Sequence, residues 1–215
     1  TGKLVNAKDC WQKAIQLEPN SEKTYTVVSS IQSSLQQFEL AIETLLEGRK
    51  KLNSNTIFAE DLIRLYLITK NFKDVLSETL LMLNQTRNIS DAQAKIGLLI
   101  AFKETHPLIQ NALKNPPNGF EREYKLLLGW FFRATNQYDK ALPVYIELDK
   151  SQNSRGYEVL NFAQSSLNDG EYTFAIKGFE YVVSLGKSSP YLMNALYGIA
   201  KAIEFKAIEL NRADT

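Results

Sequence analysis

Three features of this 215-residue chain have side chains suited to chemistry: the lone histidine His106, the adjacent carboxylates Glu60 and Asp61, and the single cysteine Cys10. A histidine titrates near neutral pH, but acid–base work requires a partner held against it. Two carboxylates can flank a scissile glycosidic bond. Neighbours on a helix, however, point about 100° apart, so Glu60 and Asp61 cannot face each other across a substrate. One cysteine cannot close an internal disulfide, and zinc sites need several Cys or His ligands at set spacings. Beside Trp11, Cys10 reads as a small packed thiol. The sequence holds neither a glycine-rich phosphate loop nor a nucleophile elbow. These residues point away from catalysis, and no cofactor or metal is expected.

His106 instead falls into a series. A small or aliphatic residue recurs at Ala7, Ala41, Val75, Ile109, Ala141 and Ala175, at spacings of 34, 34, 34, 32 and 34. A bulky residue stands three places before each: Leu4, Phe38, Phe72, His106, Tyr138 and Tyr172. A fixed period of this size signals one supersecondary unit stacked on copies of itself. His106 thus holds a packing or helix-start position, and Pro107 after it suits a first helical turn. Apolar residues at helical spacing, such as Leu62, Ile63, Tyr66 and Leu67, followed by Phe72, Val75, Leu76, Leu80 and Leu83, predict two helices per unit. Asn71 lies between them as a turn and cap. The predicted helices cover 4–19, 24–35, 38–51, 56–69, a segment starting at 72, 91–104, 107–114, 121–135, 139–150, 156–167, 172–185 and 191–210.

Apolar and aromatic residues make up 44% of the chain, enough for a continuous core. No apolar run approaches the roughly 20 residues of a membrane span. The most apolar stretch, Ile96 to Phe102, is bracketed by Lys95 and Lys103 and reads as a buried helix face. Residues 1–107 carry 13 Lys and Arg against 12 Asp and Glu, and residues 108–215 carry 12 against 12. Neither half is electropositive enough to hold a phosphate backbone, which disfavours nucleic acid.

The pattern resembles the tetratricopeptide repeat (TPR) family, most closely at Leu128-Gly129, Phe132, Tyr138, Ala141 and Tyr145, then at Phe162-Ala163, Tyr172, Ala175 and Phe179, with Ala7, Trp11, Ala14 and Pro19 matching the second half of a unit. The resemblance implies an all-α fold, a right-handed superhelical solenoid of antiparallel helix pairs. It places the second helix of a truncated repeat at 1–19, repeats at 22–55, 56–89, 90–121, 122–155 and 156–189, and a terminal helix at 190–215, as part of a longer protein. It further implies a non-catalytic scaffold that binds a protein or peptide in a groove lined by the first helix of each unit. Carried over position by position, the groove comprises Arg64, Lys95, Trp130, Arg133, Tyr157, Asn161 and Gln164, with Lys23, Ser30, Ser33, Glu60, Asp61, Asn194 and Lys201 on the same surface. The groups with which some family members grip chaperone carboxylate tails are not matched at Thr26, Ser30, Asp61, Asp91 and Lys95. Of the positions where another branch carries an asparagine ladder, only Asn161 conforms.

One unit departs from the pattern. Asn115-Pro116-Pro117-Asn118-Gly119 should end its second helix early, because proline lacks the amide donor and disfavours helix in the residue before it. A bend near 105–121 is the expected consequence. Two alternatives to groove binding remain at this level: self-assembly into a homo-oligomer, in which an exposed terminal helix docks onto the truncated unit of another copy, and a recruiting or regulatory role within a larger enzyme.

Overall fold

The computed structural model describes the backbone of residues 2–213 and the side chains of residues 7–212. Among these residues there are twelve α-helices and no strand. Two compact units form, Thr1–Thr105 and His106–Thr215. The first holds α1 (Gly2–Leu17), α2 (Glu22–Ser34), α3 (Phe38–Lys51), α4 (Ala59–Ile68), α5 (Phe72–Thr86) and α6 (Ile89–Ile100). The second holds α7 (His106–Leu113), α8 (Glu121–Ala134), α9 (Tyr138–Gln152), α10 (Tyr157–Asn168), α11 (Tyr172–Ser184) and α12 (Leu192–Ala213).

Consecutive helices pack in pairs: α2 on α3 and α4 on α5 in the first unit, α8 on α9 and α10 on α11 in the second. The periodic small residues explain the pairing. Ala41, Val75, Ala141 and Ala175, each on the second helix of a pair, are completely enclosed, since only a short side chain fits where two helix axes come close; Ile109 of α7 is enclosed as well. The bulky partners lie at the helix starts, with Tyr138 buried and Phe38, Phe72, His106 and Tyr172 half-buried. The side chain of Leu4, first in that series, lies outside the described residues. Gly129 shows how tight the approach is. A Cβ added there would lie 2.7 Å from the Tyr145 ring of the paired helix.

Each pair is joined by a three-residue turn with one repeated geometry. Gln36, Lys70, Asn136 and Gly170 all adopt positive φ. The next amide in each case reaches back five residues, Gln37 to Gln32, Asn71 to Tyr66, Gln137 to Phe132 and Glu171 to Ser166, at 2.7–2.9 Å. This is a left-handed helix stop that satisfies carbonyls the helix leaves open. Only Gly170 takes the conformation without a Cβ penalty. Lys70→Gly, at an exposed position with φ 57°, is therefore expected to raise stability by roughly 0.5–1 kcal/mol, measured by denaturant melting against wild type. Asn71 stands at the start of α5, but its side-chain amide donates to Asp74 at 2.5 Å rather than accepting from a backbone amide.

Three expectations are corrected. Cys10 is exposed: α1 turns Trp11 and Ile15 inward, and the thiol, one residue before Trp11, faces away. Ile96 to Phe102 is not a uniformly buried face. Ile96 and Leu99 are enclosed, while Leu98 is about half-exposed and Phe102 is open on one side, its ring lying 4.5 Å from that of Phe72. The helix expected to reach 104 ends at Ile100, followed by a 3₁₀ turn at Lys103–Thr105. The buried Thr105 hydroxyl lies 2.8 Å from both the Leu99 and Phe102 carbonyls, and supplies the bond that a further helical turn would have made. Helix α7 stops at Leu113 after eight residues, before the two prolines. His106 opens it, half-buried and edge-on to Phe131 at 5.6 Å.

Candidate functional site

In the second unit, α8 and α10 lie side by side, held at both ends by ion pairs. Arg122 reaches Glu158 at 3.3 Å near their first turns, and Arg133 in the last turn of α8 reaches Asp169, just past the end of α10, at 2.5 Å. Between these bridges α8 carries Trp130, half-buried, and α10 carries Asn161 and Gln164, both exposed. Tyr157, Asn161 and Gln164 recur at i, i+4 and i+7 and so share one helix face. Tyr157 is 46% exposed, its ring 5.7 Å from that of Tyr191. Gln164 donates to Asn168 at 3.3 Å. The stripe offers aromatic surface and amides that can both donate and accept, on a stiff support.

Arg133 is committed within this frame. Asp169 accepts from Arg133 and also from the Tyr138 hydroxyl at 2.9 Å. Burial pushes the Tyr138 phenol up to about 12, the hydrogen bond to Asp169 and its charge add to this, and Arg133 opposes it. Tyr145 is also pushed up to about 12, chiefly by burial. Both phenols therefore stay protonated in the folded chain at pH values where an exposed tyrosine, with its pKa of 10.0, ionises. Their contribution to stability is intact below pH 10 and is lost as the pH climbs through about 12. Melting temperatures should fall over that window, and the fall should be shallower in Tyr138→Phe with Tyr145→Phe.

Entry of the chain into α10 has its own anchor. The buried Asp149 carboxylate accepts from the Gly156 amide at 2.9 and 3.0 Å and from the Glu158 amide at 3.3 Å, satisfying donors a helix start leaves open. Motif reading did not find Asp149 or Asp169. One signal was available for the bridges: Arg122–Glu158 and Arg133–Asp169 are opposite charges 36 residues apart, close to one repeat.

The remaining groove residues lie in the first unit. Arg64 is exposed on α4 and paired with Asp61 at 3.0 Å. With Ser30, Ser33, Leu65 and Ile68 these two line a polar cleft of about 300 Å³ between α2 and α4. Lys95 on α6 bridges to Glu60 of α4 at 3.0 Å and to Asp91. Burial acts to lower its pKa, but the hydrogen bonds to Asp91 and Glu60 outweigh that and hold it above the usual lysine value. Its charge is therefore already met by two carboxylates. Lys201 of α12 lies over the Phe205 ring at 5.3 Å.

Among the described residues no cluster of His, Cys, Asp or Glu could hold a metal ion, and no helix is long and apolar enough to cross a membrane. No protein-family model and no curated protein matches the chain. Among solved structures, that of YrrB, described as a TPR protein with an unusual peptide-binding site, is similar at 15% sequence identity, with a TM-score of 0.32, over 92% of this chain and 84% of that one. The described residues are helical throughout their regular structure, and α2/α3, α4/α5, α8/α9 and α10/α11 pack as consecutive pairs.

Proposed function

We propose that this chain is a non-catalytic protein-binding scaffold whose second unit holds an extended peptide or helix of a partner on the face of α8 and α10. The observation that carries this reading is the stripe of Tyr157, Asn161 and Gln164 with Trp130 of the neighbouring helix, flanked at either end by an ion pair that ties the two helices together. A half-buried tryptophan supplies contact area at small ordering cost, and exposed amides can pair with a partner's backbone. Arg133 acts as a positioning residue through Asp169. Arg64 serves the first unit's cleft in the same way, paired with Asp61, and Lys95 ties α6 to α4 through Glu60.

Selection of displayed peptides on the intact chain, followed by titration, tests the reading. Trp130→Ala combined with Asn161→Ala should weaken the selected peptides by about 30-fold or more, the scale of a lost hot spot, with melting little changed. Unaltered affinity in that folded variant sinks the assignment. Arg133→Ala is the poorer test, because it also removes a bridge between the two helices.

A further inference from the structure

Helix α12 has two apolar faces. The inner one, Ala195, Gly198 and Ala202, is buried and packs on α11 closely enough that a Cβ at Gly198 would lie 2.5 Å from the Phe179 ring. The outer one consists of Met193, Leu196, Ala200, Ile203, Ala207 and Leu210. These recur at intervals of 3, 4, 3, 4 and 3, the spacing of a helix–helix seam. At about 100° per residue the centre of this stripe lies about 140° around the helix from the inner face. It is open: Met193 is 73% exposed, Leu196 44%, Ile203 54% and Leu210 59%, and the flanking Tyr197 is 70% exposed. This open apolar stripe runs over about 26 Å of the helix.

We propose that α12 is a self-docking helix, on which a second copy of this chain pairs in antiparallel orientation about a two-fold axis between residues 201 and 202. The order of side chains carries the choice of occupant. About that axis Ala200 faces the other copy's Ile203, Leu196 faces its Ala207, and Met193 faces its Leu210, so each branched side chain of the central layers meets an alanine. A parallel in-register pair would set alanine on alanine and isoleucine on isoleucine, leaving gaps beside crowded layers. The flanks agree. Tyr197 comes opposite Glu204, where its hydroxyl can donate to the carboxylate, Lys206 comes opposite Ile199, and no like charges meet. The exposed stripe and Tyr197 together offer on the order of 600 Å² per copy, so a symmetric pair reaches the lower end of stable interfaces. Two-fold pairing of one patch on itself is also the commonest closed assembly.

Sedimentation equilibrium of the intact chain should give the mass of two chains at about 100 μM, a concentration at which interfaces of this size associate, and the mass of one chain on dilution. Ile203→Glu, an exposed position, should give one-chain mass throughout with unchanged helical circular dichroism. Register is read separately in a Cys10→Ser background. Chains carrying Leu196→Cys and chains carrying Ala207→Cys should form a disulfide-linked dimer on air oxidation when mixed, and neither should do so alone. A one-chain mass for wild type at about 100 μM would mean that something other than a second copy covers the stripe, and would overturn the proposal. So would a pair that survives Ile203→Glu, or disulfide dimers from either cysteine variant by itself.

Discussion

Glu78→Ala is expected to destabilise the first unit by about 3–5 kcal/mol, a large fraction of a typical domain's stability. Glu78 of α5 and Arg49 of α3 form two parallel hydrogen bonds of 2.7 Å, with both side chains only 10% exposed. Removing the carboxylate leaves a guanidinium buried without its counter-charge, and the cost of that desolvation exceeds the loss of the contact itself. Arg49 also donates through Nε to the Ile57 carbonyl at 2.7 Å, just before α4 begins at Ala59. A loosened Arg49 therefore also loosens the entry of the helix that carries Asp61 and Arg64 to the cleft. Urea denaturation of the variant measures the loss. The double replacement Arg49→Met with Glu78→Leu, which removes both charges and keeps apolar bulk, should recover most of it. An equal loss in the double variant would show that packing around the site, and not the unpaired charge, sets the penalty.

Phe162→Ala should cost about 3–5 kcal/mol in the second unit, from lost burial and the cavity left behind. Phe162 is 2% exposed, with its ring centroid 5.3 Å from that of Tyr145 and 6.5 Å from that of Tyr138. On its other side the ring comes within 3.3 Å of where Gly178 would carry a Cβ. One side chain of α10 thus fills the space between α9 and α11, and in a stack where each hairpin leans on its neighbour that joint couples their unfolding. The adjacent Asn161→Ala, at an exposed position, should change stability by no more than about 0.5 kcal/mol. The pair of variants separates the two faces of one helix: Phe162 reports on the stack, and Asn161 on the surface offered to a partner. Denaturant melting of both is the measurement, and comparable losses would contradict the placement of Asn161 in solvent.

Residue type and spacing marked out the helices and the pairing of α2 with α3, α4 with α5, α8 with α9 and α10 with α11. Where these paired helix axes come close, the chain carries a small or short aliphatic residue, and the enclosure of Ala41, Val75, Ala141 and Ala175 follows from that steric need. The early end of α7 was also legible, because a missing amide donor is a local property of Pro116 and Pro117. The end of α6 was not. It turns on the Thr105 hydroxyl meeting the Leu99 carbonyl, a contact between groups six residues apart that apolar periodicity does not record. The repeated helix stop at Gln36, Lys70 and Asn136 was equally hidden, since only Gly170 carries the residue type that usually marks it.

Which charges are free, and which faces are covered, was decided by tertiary structure alone. Arg133 and Lys95 read as groove cations in the sequence, yet Asp169 holds one, and Glu60 and Asp91 hold the other. Periodicity assigns a side chain to a face of its own helix but does not say what stands opposite. For the same reason Cys10 beside Trp11 read as packed and proved exposed, and the apolar residues of α12 divided into one face that α11 covers and one left open. Local pattern sets where a helix forms and which side chains line its stripes. Solvation, ion pairing and the availability of a surface depend on the neighbour across the gap, and that neighbour arrives only when the chain has folded.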